Sequence, residues 1–187
     1  MTLSESDAKL FYELWFPLLD YVNDKRHVNK KIGKIHGAKH SDPGQVKEIA
    51  NVLWNNTSDI DEYLRFRNGD LSDDHKSIIA AWKKAITDKF FLERHLKKGS
   101  IFIDHNDTVY QVKGIITSWE EMFCFRPLPV LLSTTLIPFR DVIISDGLVI
   151  ETPVVFGKNY ASELKDVYMS AKKNGASLLS VYCRHRI

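Results

Sequence analysis

Apolar residues return at helical spacing along the first half of the chain and alternate with polar ones beyond it, so the pattern predicts helices followed by strands. Ser4 caps a helix from about Glu5 to Val22, with Leu10, Phe11, Leu14, Trp15, Leu18 and Leu19 on one face. Pro17 removes one hydrogen bond from that helix and predicts a bend or a junction of two shorter helices. Asp42-Pro43 opens a second helix with the stripe Val46, Ile49, Ala50, Leu53 and Trp54, ended by Asn55-Asn56. Ser58 opens a third through Ile60, Tyr63, Leu64 and Phe66, closed by Gly69. Ser72 caps a fourth, with Ile78, Ile79, Trp82 and Ile86 facing inward. Trp15, Trp54 and Trp82 each fall on an apolar face and read as core.

Near Phe90 the period changes. Ile101 and Ile103 precede a polar turn at His105-Asn106-Asp107, and Val109, Val112 and Ile115 follow it, which predicts a hairpin. Ser118 introduces one helical turn at Trp119–Met122, and Pro127-Leu128-Pro129 then forces extended backbone into a strand from Val130 to Ile137. The stretch Leu136 to Gly157 reads as a second hairpin turning on Asp146-Gly147, a preferred pair for a type I′ turn because both turn residues need positive φ. Tyr160 to Lys173 returns to helical spacing through Leu164, Val167, Tyr168 and Ala171, with Asn174-Gly175 as a left-handed cap. The tail SLLSVYCRHRI suits a short edge strand or the end of a docked helix. The expected fold is α+β. A helical region over 1–90 precedes a β-rich region over 91–187, as two parts or one continuous unit, with a small curved antiparallel sheet or partly open barrel closed by a helix.

Composition narrows the function. Across 187 residues, 26 Lys and Arg face 24 Asp and Glu, a net charge of +2, so the chain as a whole is no polycation and any basic site must be local. One segment, from Lys25 to Lys39, is strongly biased, with Lys25, Arg26, Lys30, Lys31, Lys34 and Lys39 and no acid. It suits a phosphate-contacting arm, aided by Arg94, Lys97 and Lys98, but a solvated connector between helices is favoured, since solvated charge runs are commoner than binding sites and no aromatic residue is interleaved for base stacking. Two cysteines, Cys124 and Cys183, suit a reducing compartment. The amino terminus lacks a basic leader and no apolar run approaches the roughly 20 residues of a membrane span, so a cytoplasmic protein is expected.

Candidate chemistry is sparse. His36 and His40 would share a helix face as metal ligands, but Gly33 and Gly37 argue against a helix there. Cys183 and His185 lack a Cys-x-x-Cys partner. Cys124, between Phe123 and Phe125, is expected to be a buried, inert thiol. For paired-carboxylate catalysis the candidates are Glu120 and Glu121 beside Trp119, or Asp104 and Asp107 around the turn, but adjacent residues on a helix do not converge and turn aspartates usually serve the backbone. Without GxGxxG, P-loop, GxSxG or HExxH, no metal and no cofactor is expected. With no chemical signature, the sequence favours a non-catalytic binding or adaptor module, its partner a protein or a nucleic acid. Nucleic-acid association through the basic segment is one alternative. A hydrolase or transferase using His95, His105 or the carboxylates near Trp119, in a site between the helical and β regions, is another.

The run LERHLKKGSIF from Leu92 to Phe102, with Pro127-Leu128-Pro129-Val130, Thr135, Pro138-Phe139 and Ile144-Ser145-Asp146-Gly147, resembles a group of uncharacterised bacterial proteins. Some of these carry a cysteine-rich zinc knuckle at the end of the chain. This tail has Cys183 alone, so the resemblance implies no zinc site and no particular activity.

Overall fold

A computed structural model describes residues 1–37 and 41–173, so Lys39, His40, Cys183, His185, the Asn174-Gly175 cap and the tail lie outside the described residues. The fold is α+β, with helices first, a curved and mostly antiparallel sheet, and a helix near the carboxyl end. The chain divides into two compact units: Ser4–Ala85, and Met1–Leu3 with the chain from Ile86 onward.

The first unit is helical. Helix α1 (Glu5–Arg26) starts where the Ser4 side chain accepts the amide of Asp7, and stops where His27 adopts the left-handed conformation. It runs unbroken through Pro17 and a full turn past Val22, which brings Lys25 and Arg26 into its last turn. Helix α2 (Pro43–Asn55) begins at an Asp42 cap, α3 (Ser58–Phe66) follows, and α4 (Asp73–Ala81) is capped by Ser72. The tryptophans meet as expected. Trp15 stacks on Trp54 at 5.1 Å and meets Trp82 edge-on at 5.7 Å, with Phe11 closing the cluster. The fourth helical stripe ends sooner than its spacing suggests. A 3₁₀ turn at Trp82–Lys84 breaks it, and Ile86 starts a strand.

The second unit is built on β1 (Ile86–Leu96), β2 (Gly99–Ile103), β3 (Val109–Lys113), β4 (Val130–Phe139), β5 (Val142–Ser145) and β6 (Ile150–Thr152). β1 is long and pairs on both edges, Leu92 facing Phe102 of β2 on one side and Val130 of β4 on the other. An extra residue, Glu93, bulges between Leu92 and Arg94 and lets the strand bend. From β1 the pairings run to β2, β3, β5 and β4 and return to β1. The seam between β3 and β5 is parallel and two residue pairs long, so the sheet curls into a partly closed ring and not a clean barrel. Residues facing the inside, among them Phe90, Leu92, Phe102, Tyr110, Val112, Leu132 and Leu136, pack around Trp119 from the one-turn helix α5 (Trp119–Met122). On the outer face, Ile101, Ile103 and Val109 are covered by α6 (Lys158–Lys173) through Leu164 and Tyr168.

The expected hairpin at Asp146-Gly147 is corrected by the pairing. The tight turn falls at Arg140-Asp141, where Arg140 takes φ 53°, and it joins β4 to β5. β5 and then β6 lie in succession along one edge of β4, while β1 occupies the other. Asp146-Gly147 instead carries the chain across the break between β5 and β6. The buried Asp146 carboxylate accepts the Leu148 amide at 3.0 Å, and Gly147 supplies a φ of 82°. The same turn chemistry interrupts a strand here because Arg140, though not glycine, accepts the left-handed conformation two residues before β5 begins.

Candidate functional site

Asp20 organises a groove in the helical unit. It projects from the middle of α1 and its two carboxylate oxygens accept the amides of Ile35 and His36 at 2.7 and 3.0 Å, while Asn23 binds both the amide and the carbonyl of Asn29. With Ile35 buried and the Ile35 and His36 amides held by Asp20, this part of the basic segment is anchored to α1. Residues Lys34 and His36 then form one wall of a groove of about 730 Å³, whose other walls are α1 (Glu13, Pro17, Asp20, Tyr21, Asp24, Lys25) and the end of α3 (Tyr63, Phe66, Arg67).

The floor is aromatic. The Tyr21 ring sits 5.4 Å from Tyr63 and 5.6 Å from Phe66, and the Arg67 guanidinium lies 6.0 Å over Tyr63. Tyr63 is buried, which pushes its phenol pKa up, but Phe66 is 72% exposed. Its open ring lies against Tyr21, so the two rings form a contiguous apolar surface in the groove. Pro17, which lacks an N–H and so cannot donate to the carbonyl of Glu13 four residues back, also lines the groove.

The sequence-predicted basic residues divide here. Lys25 donates to Asp59 at 2.7 Å and also pairs with Glu62, and Arg26 grips both oxygens of Asp59 at 2.8 and 3.0 Å. Burial alone would raise the Asp59 pKa, but the bonds from Arg26 and Lys25 outweigh it and hold the carboxyl below its ordinary range. The Lys25 pKa rises in turn, chiefly through its bond to Asp59. These two cations therefore fasten α1 to α3. Lys30, Lys31 and Lys34 are exposed, and Lys39 lies outside the described residues. The acid partners stand more than thirty residues away in sequence, so nothing local marked them.

The residues weighed for catalysis are scattered over the second unit. His95 and Glu120 share a shallow cavity of about 880 Å³ with Lys97, and the His95 Nδ1 lies 2.8 Å from the Ser100 hydroxyl. Burial lowers the His95 pKa, with Glu120 opposing. His95 and Ser100 face one another in the β1–β2 register, so their bond is a cross-strand pair within the sheet. His105 is elsewhere, 2.7 Å from Asp88. Asp104 serves its turn, accepting the amides of Asn106 and Thr108 and the Tyr110 hydroxyl. Glu121 is the return arm of a capping box with Ser118, whose hydroxyl and amide lower its pKa. Cys124 is a correction. Trp119 and Phe123, four residues apart, take the inward face of α5 and its cap, so Cys124 is exposed. Lys97 and Lys98 form the β1–β2 turn, while Arg94 pairs with Glu93.

Among the described residues, no group of three or more His, Cys, Asp or Glu could hold a metal ion, and no helix is long and apolar enough to cross a membrane. Comparison with protein-family models, curated proteins and solved structures finds no match to this chain.

Proposed function

We propose that the protein is a non-catalytic binding module whose site is the aromatic groove of the helical unit, and that its partner is a protein segment. The open Phe66 ring beside Tyr21 carries this reading. An apolar partner side chain seated on Phe66 would have Glu13 and Asp24 of α1, Lys34 and His36 of the following segment and Arg67 beyond α3 around it. Mixed charge around an apolar anchor suits a peptide better than a polyanion. The nucleic-acid reading keeps Lys30, Lys31 and Lys34, all exposed, but has to do without Lys25 and Arg26, which are engaged with Asp59.

Selection from a random peptide library against the full chain tests the proposal, run in parallel on Phe66→Asp and on the triple variant Lys30→Glu, Lys31→Glu, Lys34→Glu. The expected result is a set of binders lost in Phe66→Asp. Anisotropy with generic DNA and RNA supplies the opposing outcome: micromolar binding that falls steeply with salt and vanishes in the triple variant would replace the groove with the basic segment as the site.

A further inference from the structure

The charges that line the groove are for the most part satisfied inside the chain. Asp20 accepts the amides of Ile35 and His36, Lys25 donates to Asp59 and Glu62, Arg67 donates to Asp70 at 2.8 Å, and Glu13 lies 3.7 Å from Lys9 one turn earlier on α1. Asp24 and Lys34 remain. Both are exposed, and among the described residues neither makes an ion pair or a side-chain hydrogen bond.

Their backbones are nonetheless fixed. Asp24 follows Tyr21 by three residues in α1, so it stands on the same face of the helix, about 4.5 Å further along the axis. Lys34 precedes Ile35, whose side chain is buried and whose amide Asp20 holds at 2.7 Å. The Tyr21 and Phe66 rings, 5.6 Å apart, are the apolar surface of the same groove.

An unpaired surface charge is ordinary as long as water reaches it. A segment seated on Phe66 takes part of that water from both groups, and a charge that loses water without gaining a countercharge opposes binding. A partner with acidic residues alone would answer Lys34 and repel Asp24, and one with basic residues alone would do the reverse. The groove therefore favours a segment that carries both signs.

We propose, resting on the groove as the peptide site, that the partner segment carries a basic and an acidic residue beside one apolar anchor. The anchor sits on Phe66 and Tyr21, Asp24 binds the basic residue, and Lys34 binds the acidic one. An extended peptide rises about 3.3 Å per residue, so the basic residue falls about one or two positions from the anchor.

The test uses the full chain and peptides selected against it from a random library, with affinities read by fluorescence anisotropy. Selected peptides should share the two-sign pattern. Asp24→Lys should weaken such a peptide about tenfold, through loss of one exposed ion pair and a repulsion of similar size, and changing the peptide's basic residue to Glu should restore the affinity. Lys34→Glu should act in the same way on the acidic residue, with rescue by Lys in the peptide. Both variants should keep the wild-type circular dichroism, since both sites are exposed. Peptides lost in Phe66→Asp but held within about twofold in Asp24→Lys and Lys34→Glu would overturn the charge assignment and leave the groove standing. Selected peptides without the two-sign pattern, or weakening that the matched peptide does not rescue, would overturn it as well. No binders at all, or binders that survive Phe66→Asp, would remove the groove as the site and this assignment with it.

Discussion

Asp59 is the residue through which the basic segment acts on stability, and its replacement gives a measurable consequence. Its carboxylate is fully buried and receives three hydrogen bonds, from Lys25 at 2.7 Å and from Arg26 at 2.8 and 3.0 Å. Removing one partner of a buried ion pair costs about 3–5 kcal/mol. Here the Lys25 and Arg26 side chains keep 26% and 37% of their surface in water, so they recover solvation when the acid is lost, and the cost falls toward the lower end. Asp59→Ala should therefore destabilise by about 3 kcal/mol, and Asp59→Asn, which keeps the shape and one acceptor, by about 2 kcal/mol. Urea unfolding followed by tryptophan fluorescence suits the measurement, because Trp15, Trp54 and Trp82, three of the four tryptophans, report on the helical unit. The pH dependence has a definite sign. The folded Asp59 pKa lies below its unfolded value, so its contribution is complete above about pH 4 and is lost as pH falls through the folded value. The wild type should lose stability on acidification below that point more steeply than Asp59→Asn. A change under about 0.5 kcal/mol in Asp59→Asn, with parallel pH profiles, would refute the assignment of Lys25 and Arg26 to a structural pairing.

Three further outcomes follow from the geometry. Gly114→Ala should be strongly destabilising, because a Cβ there would sit 2.1 Å from the Thr117 carbonyl oxygen, and a thermal melt should show a large drop in midpoint. Arg94→Ala should loosen α6 at a cost of about 1 kcal/mol, read as faster amide exchange in Lys158–Lys173 with β4 unchanged. Phe66→Asp should leave stability within about 0.5 kcal/mol of wild type in the same urea assay, since an open ring contributes little to the core.

How much of this was legible in the sequence depended on the range of the interaction. Stripes and caps are local, so Ser4, Asp42, Ser72 and the apolar face of α6 could be read directly, as could the strand alternation around the His105 turn. The β1 strand was harder to see at its start, because Ile86 continues the spacing of Ile78, Ile79 and Trp82, and only pairing with Leu136 decides its state. The turn at Arg140 carries no glycine signal, while Asp146-Gly147 carries one and spends it on a strand break. Charge bias marked the segment from Lys25 onward but could not distribute its roles: Asp59 lies 34 residues from Lys25, and the loop's path is fixed by Asp20, an acid inside the preceding helix. The groove was missed for the same reason. Tyr21 and Phe66 each sit at a helical position that spacing alone assigns to a core or leaves unremarked, and only the packing of α3 on α1 brings them together.

The most direct test of the groove is a titration of ¹⁵N-labelled full chain with a library-selected peptide, followed by heteronuclear NMR. Perturbations confined to Tyr21, Lys34, His36, Phe66 and Arg67 and their neighbours are the expected result. Perturbations that fall on the β strands, or on Lys30 and Lys31 without Phe66, would contradict the account.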